Sequence, residues 1–369
     1  MKFICSQQAL SKALNTVSKA VSTRTTIPIL KGILMTVREG KLTLTASDLD
    51  LSIETTLEVS DSKEGAAVVS ARLLGDIIRR LPGALVKMEK DDKNNLNISC
   101  LSSDFSIVAL PADEFPAIGT VKKEESLTIQ KEALKELIKK TTFSASVDEK
   151  KGILTGCLLE MKGKELAMVA LDGFRMAVAC EALKEEAKRN IVVPARILNE
   201  ISKLISDSIQ EEEITILLDD KKMEIMTADT RVISRLMEGE FIKYGDIVPK
   251  SYKTRCVTDR TEMLNSIERA SLLAKEGKNN LIKVNVQKES IEITSRSEEG
   301  NVREKVSCET EGEELVIGFN SKYISDVLKG LETEEVVFEM NSSTSPCIIK
   351  PVEGNAFLYL VLPVRIAAS

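Results

Sequence analysis

Apolar residues recur at helical spacing in six places along the chain. Ala9, Leu10, Leu14, Val17 and Val21 fall at i, i+3 and i+4 intervals, the one-sided stripe of an amphipathic helix. Similar spacing predicts helices over 7–20, 71–81, 131–143, 195–206, 261–275 and 320–331. Ser70, Asn320 and Thr261 are placed to cap three of them, and Pro82 stops the helix before it. Between helices the pattern alternates, as in Lys41-Leu-Thr-Leu-Thr-Ala and Glu213-Ile-Thr-Ile-Leu-Leu, with Glu-Gly and Asp-Asp turns between strands. Helix, several strands, helix, several strands is the order of an α+β fold with mainly antiparallel sheet.

That order repeats. Ile29-Leu-Lys-Gly-Ile-Leu-Met returns 124 residues later as Ile153-Leu-Thr-Gly-Cys-Leu-Leu. The same spacing aligns Asp48 with Asp172, Arg72 with Arg196, and Ala9-Leu10 with Ala133-Leu134. A fainter third copy sets Phe319-Asn-Ser-Lys 126 residues after Val193-Pro-Ala-Arg, and Met263-Leu264 130 residues after Ala133-Leu134. So long a period predicts tandem triplication of a whole two-helix, antiparallel-sheet domain, with copies over 1–124, 125–250 and 251–369.

Composition narrows the chemistry. No apolar run reaches the ~18–20 residues of a membrane span, and the polar N-terminus does not build a signal-peptide core. With no histidine, Ser-His-Asp and Cys-His catalysis and His-ligated zinc are ruled out. Cys5, Cys100, Cys157, Cys180, Cys256, Cys308 and Cys347 are scattered without a C-x-x-C pair, the usage of buried thiols in a reducing cytoplasm. Glycine signatures for phosphates or dinucleotides are absent, and neither a metal nor a cofactor is expected. Asp48, Asp50, Asp172 and Asp229 are the carboxylates to weigh for acid–base or two-metal work; Asp48 and Asp50 flank a leucine in a strand-like segment and so would share a face.

The net charge of −6 is unevenly spread. Residues 1–37 hold no acid but include Lys2, Lys12, Lys19, Arg24 and Lys31. The second predicted helix carries Arg72, Arg79 and Arg80, the third Lys135, Lys139 and Lys140, the fourth Arg196 and Lys203, and the sixth Lys322 and Lys329. One such helix is an ordinary solvated surface; five of six with one sign suit a phosphate backbone bound without sequence readout. Two chains would supply twelve helices. At ~10 Å spacing these make a circle of about 120 Å, leaving roughly 28 Å clear, wide enough for a B-form duplex of about 20 Å.

Thr26-Ile-Pro-Ile-Leu, Thr45-Ala-Ser-Asp-Leu-Asp, Leu110-Pro-Ala-Asp-Glu-Phe-Pro, Asp172-Gly-Phe-Arg-Met-Ala and Leu362-Pro-Val-Arg-Ile resemble, in order and over the whole chain, the bacterial DNA polymerase III beta subunits, the sliding clamps. The resemblance implies a DNA clamp fold closed into a ring as a head-to-tail homodimer, encircling double-stranded DNA and performing no chemistry of its own. It implies a processivity factor in the cytoplasm that tethers the replicative DNA polymerase, and binds the clamp loader and repair proteins through short apolar peptides. Arg24, Arg72, Arg79, Arg80, Lys135, Lys139, Lys140 and Arg196 would face the DNA. The peptide pocket would use Leu154, Leu171, Gly173, Phe174, Arg175 and Met176, closed by Thr344, Pro346, Leu360, Leu362, Pro363, Val364 and Arg365, with Ile242 and Ile247 nearby. Read without the resemblance, those apolar residues are ordinary core. Phe105 and Ile107 would meet Leu272 and Leu273 of the second chain, with Glu298, Glu299 and Glu304 facing cations across the contact. Phe241 is followed by Ile242 where the family often has proline, and Asp246 stands at a commonly basic position. A protein-only scaffold that binds peptides without touching DNA is the alternative reading.

Overall fold

In the computed structural model, the described residues are 1–22, 25–122, 125–207 and 212–366. Arg24, an expected DNA-facing residue, residues 123 and 124 at the expected first domain boundary, and the tail 367–369 lie outside them.

The first copy runs β1 (Lys2–Ser6), α1 (Gln7–Ser18), β2 (Gly32–Arg38), β3 (Lys41–Ser47), β4 (Leu51–Glu58), β5 (Ser60–Lys63), β6 (Gly65–Ser70), α2 (Ala71–Arg80), β7 (Leu85–Lys90), β8 (Asn95–Cys100) and β9 (Ser103–Leu110). The second runs β10 (Glu125–Gln130), α3 (Lys131–Thr141), β11 (Gly156–Leu171), β12 (Arg175–Pro194), α4 (Ala195–Asp207), β13 (Glu213–Leu218), β14 (Lys222–Met226) and β15 (Thr230–Arg235). The third runs β16 (Thr254–Asp259), α5 (Arg260–Ala274), β17 (Leu281–Val286), β18 (Ser290–Ser297), β19 (Gly300–Ser307), β20 (Glu309–Gly312), β21 (Leu315–Asn320), α6 (Ser321–Gly330), β22 (Glu335–Met340), β23 (Cys347–Lys350) and β24 (Phe357–Val361).

Four of the helices, α1, α2, α5 and α6, begin where a side chain satisfies one of their first N–H groups. Ser6, Ser70 and Asn320 accept from the backbone N–H of Ala9, Leu73 and Lys322. Thr261 does not cap α5; Asp259 does, accepting from the Glu262 N–H at 2.6 Å. The buried face of α5 therefore starts one residue away from the sequence alignment: Met263 is the counterpart of Leu134 and Leu10, not of Ala133. On α1 the buried residues are Leu10, Ala13, Leu14 and Val17, and each large aliphatic side chain contributes about 2 kcal/mol.

The copies share their strand registers. Gly32 lies opposite Ser70, Gly156 opposite Pro194, and Leu281 opposite Asn320. β11 spans the positions of β2 and β3, and β12 those of β4, β5 and β6, with one register shift between Gly163 and Glu165, so Lys41 opposite Glu58 becomes Glu165 opposite Ala182. Gly32 and Gly156 also share a reason to be glycine. A Cβ on Gly32 would sit 2.5 Å from Val68 Cγ1 and 3.0 Å from the Val69 carbonyl oxygen; on Gly156, 2.7 Å from Val192 Cγ1 and 3.0 Å from the Val193 carbonyl oxygen.

By packing, the chain divides into two compact units, Met1–Lys131 with Glu200–Leu236, and Glu132–Asn199 with Met237–Ser369. The cause is sheet pairing. In the first unit β15 joins β4, giving one sheet ordered β10-β13-β14-β15-β4-β3-β2-β6-β9-β8-β7-β1-β5. In the second, β24 joins β12, giving β11-β12-β24-β23-β22-β16-β20, beside a smaller sheet β19-β18-β17-β21. Each half of the second copy is thus continuous with a neighbouring copy. No helix among the described residues is long and apolar enough to cross a membrane.

Candidate functional site

The second unit holds the expected pocket residues around the turn from β11 to β12. Asp172 builds that turn: its Oδ1 accepts from the backbone N–H of Phe174 (2.8 Å) and Arg175 (3.0 Å), and Gly173 takes a φ of +90°. Asp48 does the same for the first copy, accepting from the N–H of Asp50 and Leu51. Asp48 and Asp50 therefore flank a turn rather than share a strand face, with Leu49 at a φ of +79°. Asp229 accepts from the Thr230 hydroxyl. Among the described residues no group of three or more Cys, Asp or Glu is placed to hold a metal.

The Asp172 turn pushes Phe174 outward, 54% exposed. Its ring lies 6.4 Å from that of Tyr323 on α6, with the Lys151 ammonium 5.1 Å over its face. Lys151 is itself fixed by donating to the Asp172 carbonyl oxygen at 2.6 Å. Leu171, Met176 and Leu360 pack in one buried cluster, with Leu154 at its edge. Phe241, Tyr244 and Val248 cover that cluster from the segment after β15, and the Tyr244 hydroxyl donates to Glu160 at 2.7 Å. Ile242, Ile247 and Leu362 stay exposed beside it. Pro346, Pro363 and Val364 are half-buried, and Gly173, Thr344 and Arg365 exposed. The Leu362 N–H donates to the Phe174 carbonyl (2.9 Å) and the Val364 N–H to that of Gly318 (2.8 Å), which fixes the chain end beyond β24. The result is a partly greasy surface with a solid floor, suited to a few apolar anchors.

Arg175 does not offer its charge to that surface. Its Nη1 donates to Asp326 (2.7 Å), Nε to Asp172 (3.1 Å) and Nη2 to the Phe143 carbonyl (2.6 Å). The guanidinium also lies 4.6 Å from the Tyr323 ring centre. Burial raises the Tyr323 hydroxyl above its ordinary pKa, and the Asp172 carboxylate adds to the effect. Tyr323 and Tyr244 escape a sequence reading because each reaches the site from a distant segment.

The expected DNA-facing cations stand on helix surfaces. Arg72, Arg79, Arg80, Lys139 and Arg196 are exposed, Lys135 and Lys140 half-buried. Most meet acids: Arg79 and Arg80 reach Asp76, Lys135 reaches Glu132 at 2.8 Å, Lys140 reaches Glu136 at 3.1 Å, and Lys139 reaches Glu332 at 2.5 Å. These pairs trim the positive field that the helix composition suggests.

Of the expected contact residues, Phe105 is 41% exposed on β9 and Leu272 65% exposed on α5, while Ile107 is buried and Leu273 half-buried. Glu298 and Glu299 are exposed. Glu304 already has a partner: Arg269 of the same chain donates to it at 2.6 and 3.0 Å and holds its carboxyl below the ordinary value.

Comparison with known proteins places this geometry. Family models for the DNA polymerase III beta subunit match in order: the N-terminal domain over residues 1–119, the central domain over 128–243 and the C-terminal domain over 246–365. The beta sliding clamps of Staphylococcus epidermidis and Staphylococcus aureus are each 34% identical over 376 aligned positions, covering 99% of either chain. The crystal structure of the DNA polymerase sliding clamp from Bacillus subtilis superposes with a TM-score of 0.95 at 33% identity over 100% of both chains. A sliding clamp from Pseudomonas aeruginosa, solved bound to griselimycin, gives 0.93 at 28% identity over 99% of this chain and 100% of its own. With a three-copy clamp fold and matches along its length, the chain belongs to the DNA polymerase III beta subunit family, the sliding clamps, and is a non-catalytic processivity subunit.

Proposed function

We propose that two copies of this chain join head to tail into a ring of six domains, over 1–124, 125–250 and 251–369 in each chain. The ring encloses duplex DNA in the cytoplasm. It tethers the replicative polymerase, the clamp loader and repair proteins by short apolar peptides seated at Phe174, Leu154, Leu171, Met176, Leu360 and Leu362.

One observation carries this reading: a strand junction used twice within the chain, with its two unused halves in the first and third copies. β15 meets β4 with Val232 opposite Ile53, and β24 meets β12 with Tyr359 opposite Ala177. β9 is the counterpart of β15 and β24, because Phe105, Val232 and Tyr359 each face an isoleucine on the preceding strand: Ile98, Ile225 and Ile349. β19 is the counterpart of β4 and the start of β12, because Glu54, Val178 and Arg303 lie opposite Thr45, Val169 and Thr294. Yet β9 pairs with β6 only at Ala109 and Leu110, and β19 ends its sheet. Unpaired strand edges invite another strand.

Repeating the rule between chains sets Phe105 opposite Val302, Ser106 opposite Asn301 and Ile107 opposite Gly300 of the second chain. It also supports Leu272 as the residue that packs on Phe105. Leu272 is the counterpart of Phe143, whose ring lies 5.9 Å from that of Tyr359. The DNA role rests on Arg24, Arg72, Arg79, Arg80, Lys135, Lys139, Lys140 and Arg196. Exposed ion pairs contribute about 0–1 kcal/mol, so phosphates can draw these cations from their acids. Mass in solution tests the pairing: it should be about twice 40.6 kDa, and a monomer at micromolar concentration would refute it.

A further inference from the structure

The two internal junctions are built alike but filled differently. At the β12–β24 junction, rings fill the space under the strands: Phe143 packs on Tyr359 at 5.9 Å and Phe357 on Tyr359 at 5.5 Å. Gly330, at the end of α6, lets that helix approach α3, its Cα side facing the Phe143 ring and the Lys139 and Lys140 backbone. At the β4–β15 junction the counterparts are Lys19 for Phe143, Val232 for Tyr359, Thr230 for Phe357 and Leu204 for Gly330. Three rings are lost, and a longer side chain stands where the glycine allowed close approach. A cavity of about 450 Å³ lies there, between α1 and α4.

We propose that this cavity binds a small, neutral, planar aromatic molecule of phenol or indole size. The volume falls in the range of small-ligand sites and exceeds the roughly 150 Å³ that holds one benzene in an engineered apolar cavity. Its walls include Leu204, Ile205, Ile225 and Val232, which offer apolar contact to ring faces. Its strand floor carries the Thr55 and Thr230 hydroxyls, 2.9 Å apart, whose spare acceptor capacity suits one O–H or N–H on the ring. Lys12 and Asp229 both line it, so their opposite charges favour no ionic ligand. The β12–β24 junction shows what the same frame accepts when filled: rings tilted against one another, one of them a phenol. Lacking those rings, the β4–β15 junction leaves their place to a free molecule, and one seated there bridges α1 to α4.

The test is ligand-detected NMR on the full-length protein with p-cresol and indole as probes. Saturable binding is expected, weakened at least tenfold in Val232→Tyr, which restores the side chain found at Tyr359. Thr230→Phe, which restores Phe357, provides a second filled variant should the first fold poorly. Phe174→Ala removes an exposed ring far away in sequence and should leave probe binding unchanged. Absence of saturable binding, or binding that survives both filled variants, would overturn the proposal. So would binding lost in Phe174→Ala, which would place the probe in the peptide groove instead.

Discussion

Arg175 and Asp326 stand 2.7 Å apart, tying the first residue of β12 to α6 across 151 positions of sequence. The same guanidinium holds Asp172 and the Phe143 carbonyl, so one side chain fixes the turn that displays Phe174 and the helix that backs it. Removing it strands two carboxylates that are largely shielded from water. Arg175→Ala should cost about 3 kcal/mol of unfolding free energy, the scale for breaking a buried ion pair from one side. Urea denaturation measures this directly. A loss below about 1 kcal/mol would mean that the network is ornamental.

A milder electrostatic effect is expected at Glu304. The Arg269 guanidinium holds its carboxyl below the ordinary value of 4.5. A carboxylate with a lowered native pKa contributes stability that is fully present above the unfolded value and lost as pH falls through the native one. Melting temperature should therefore drop as pH falls below about 5, and less steeply in Glu304→Gln than in the parent. Equal slopes would show that the pair does not report on folding.

The groove makes a prediction separable from stability. Phe174 is more than half exposed, so Phe174→Ala should change the unfolding midpoint little. If the ring anchors partner peptides, affinity should fall roughly thirtyfold, the mark of a residue contributing about 2 kcal/mol. Deleting 362–369 should weaken binding further, since the Leu362 and Val364 N–H groups hold that wall. Unchanged affinity in folded Phe174→Ala, measured by fluorescence anisotropy, would move the binding site elsewhere.

Much of the fold was legible because the copies obey local rules. Apolar spacing set the six helices to within a few residues, and the Gly32–Gly156 offset marks a close approach that both copies keep. What escaped depends on long-range partners. Arg175 reads as a groove residue until Asp326 is brought beside it, and Glu304 reads as a partner for cations across the subunit contact until Arg269 arrives from α5. Thr261 and Asp259 are both good caps, and the backbone alone decides between them. The sheet junctions were invisible for the same reason: alternation predicts a strand but not which edge it meets.

The claim that the chain closes around DNA is tested most directly by locking the proposed joint. Ser106 and Asn301 are exposed, and the repeated register sets them opposite each other between chains. Ser106→Cys with Asn301→Cys should oxidise to a covalent dimer bridged at both joints. Oxidised in the presence of closed circular duplex DNA, part of the protein should stay on the circle through detergent and high salt, and leave when the circle is cut once. Protein that cross-links yet washes from uncut circles, or that remains after linearisation, would contradict encirclement.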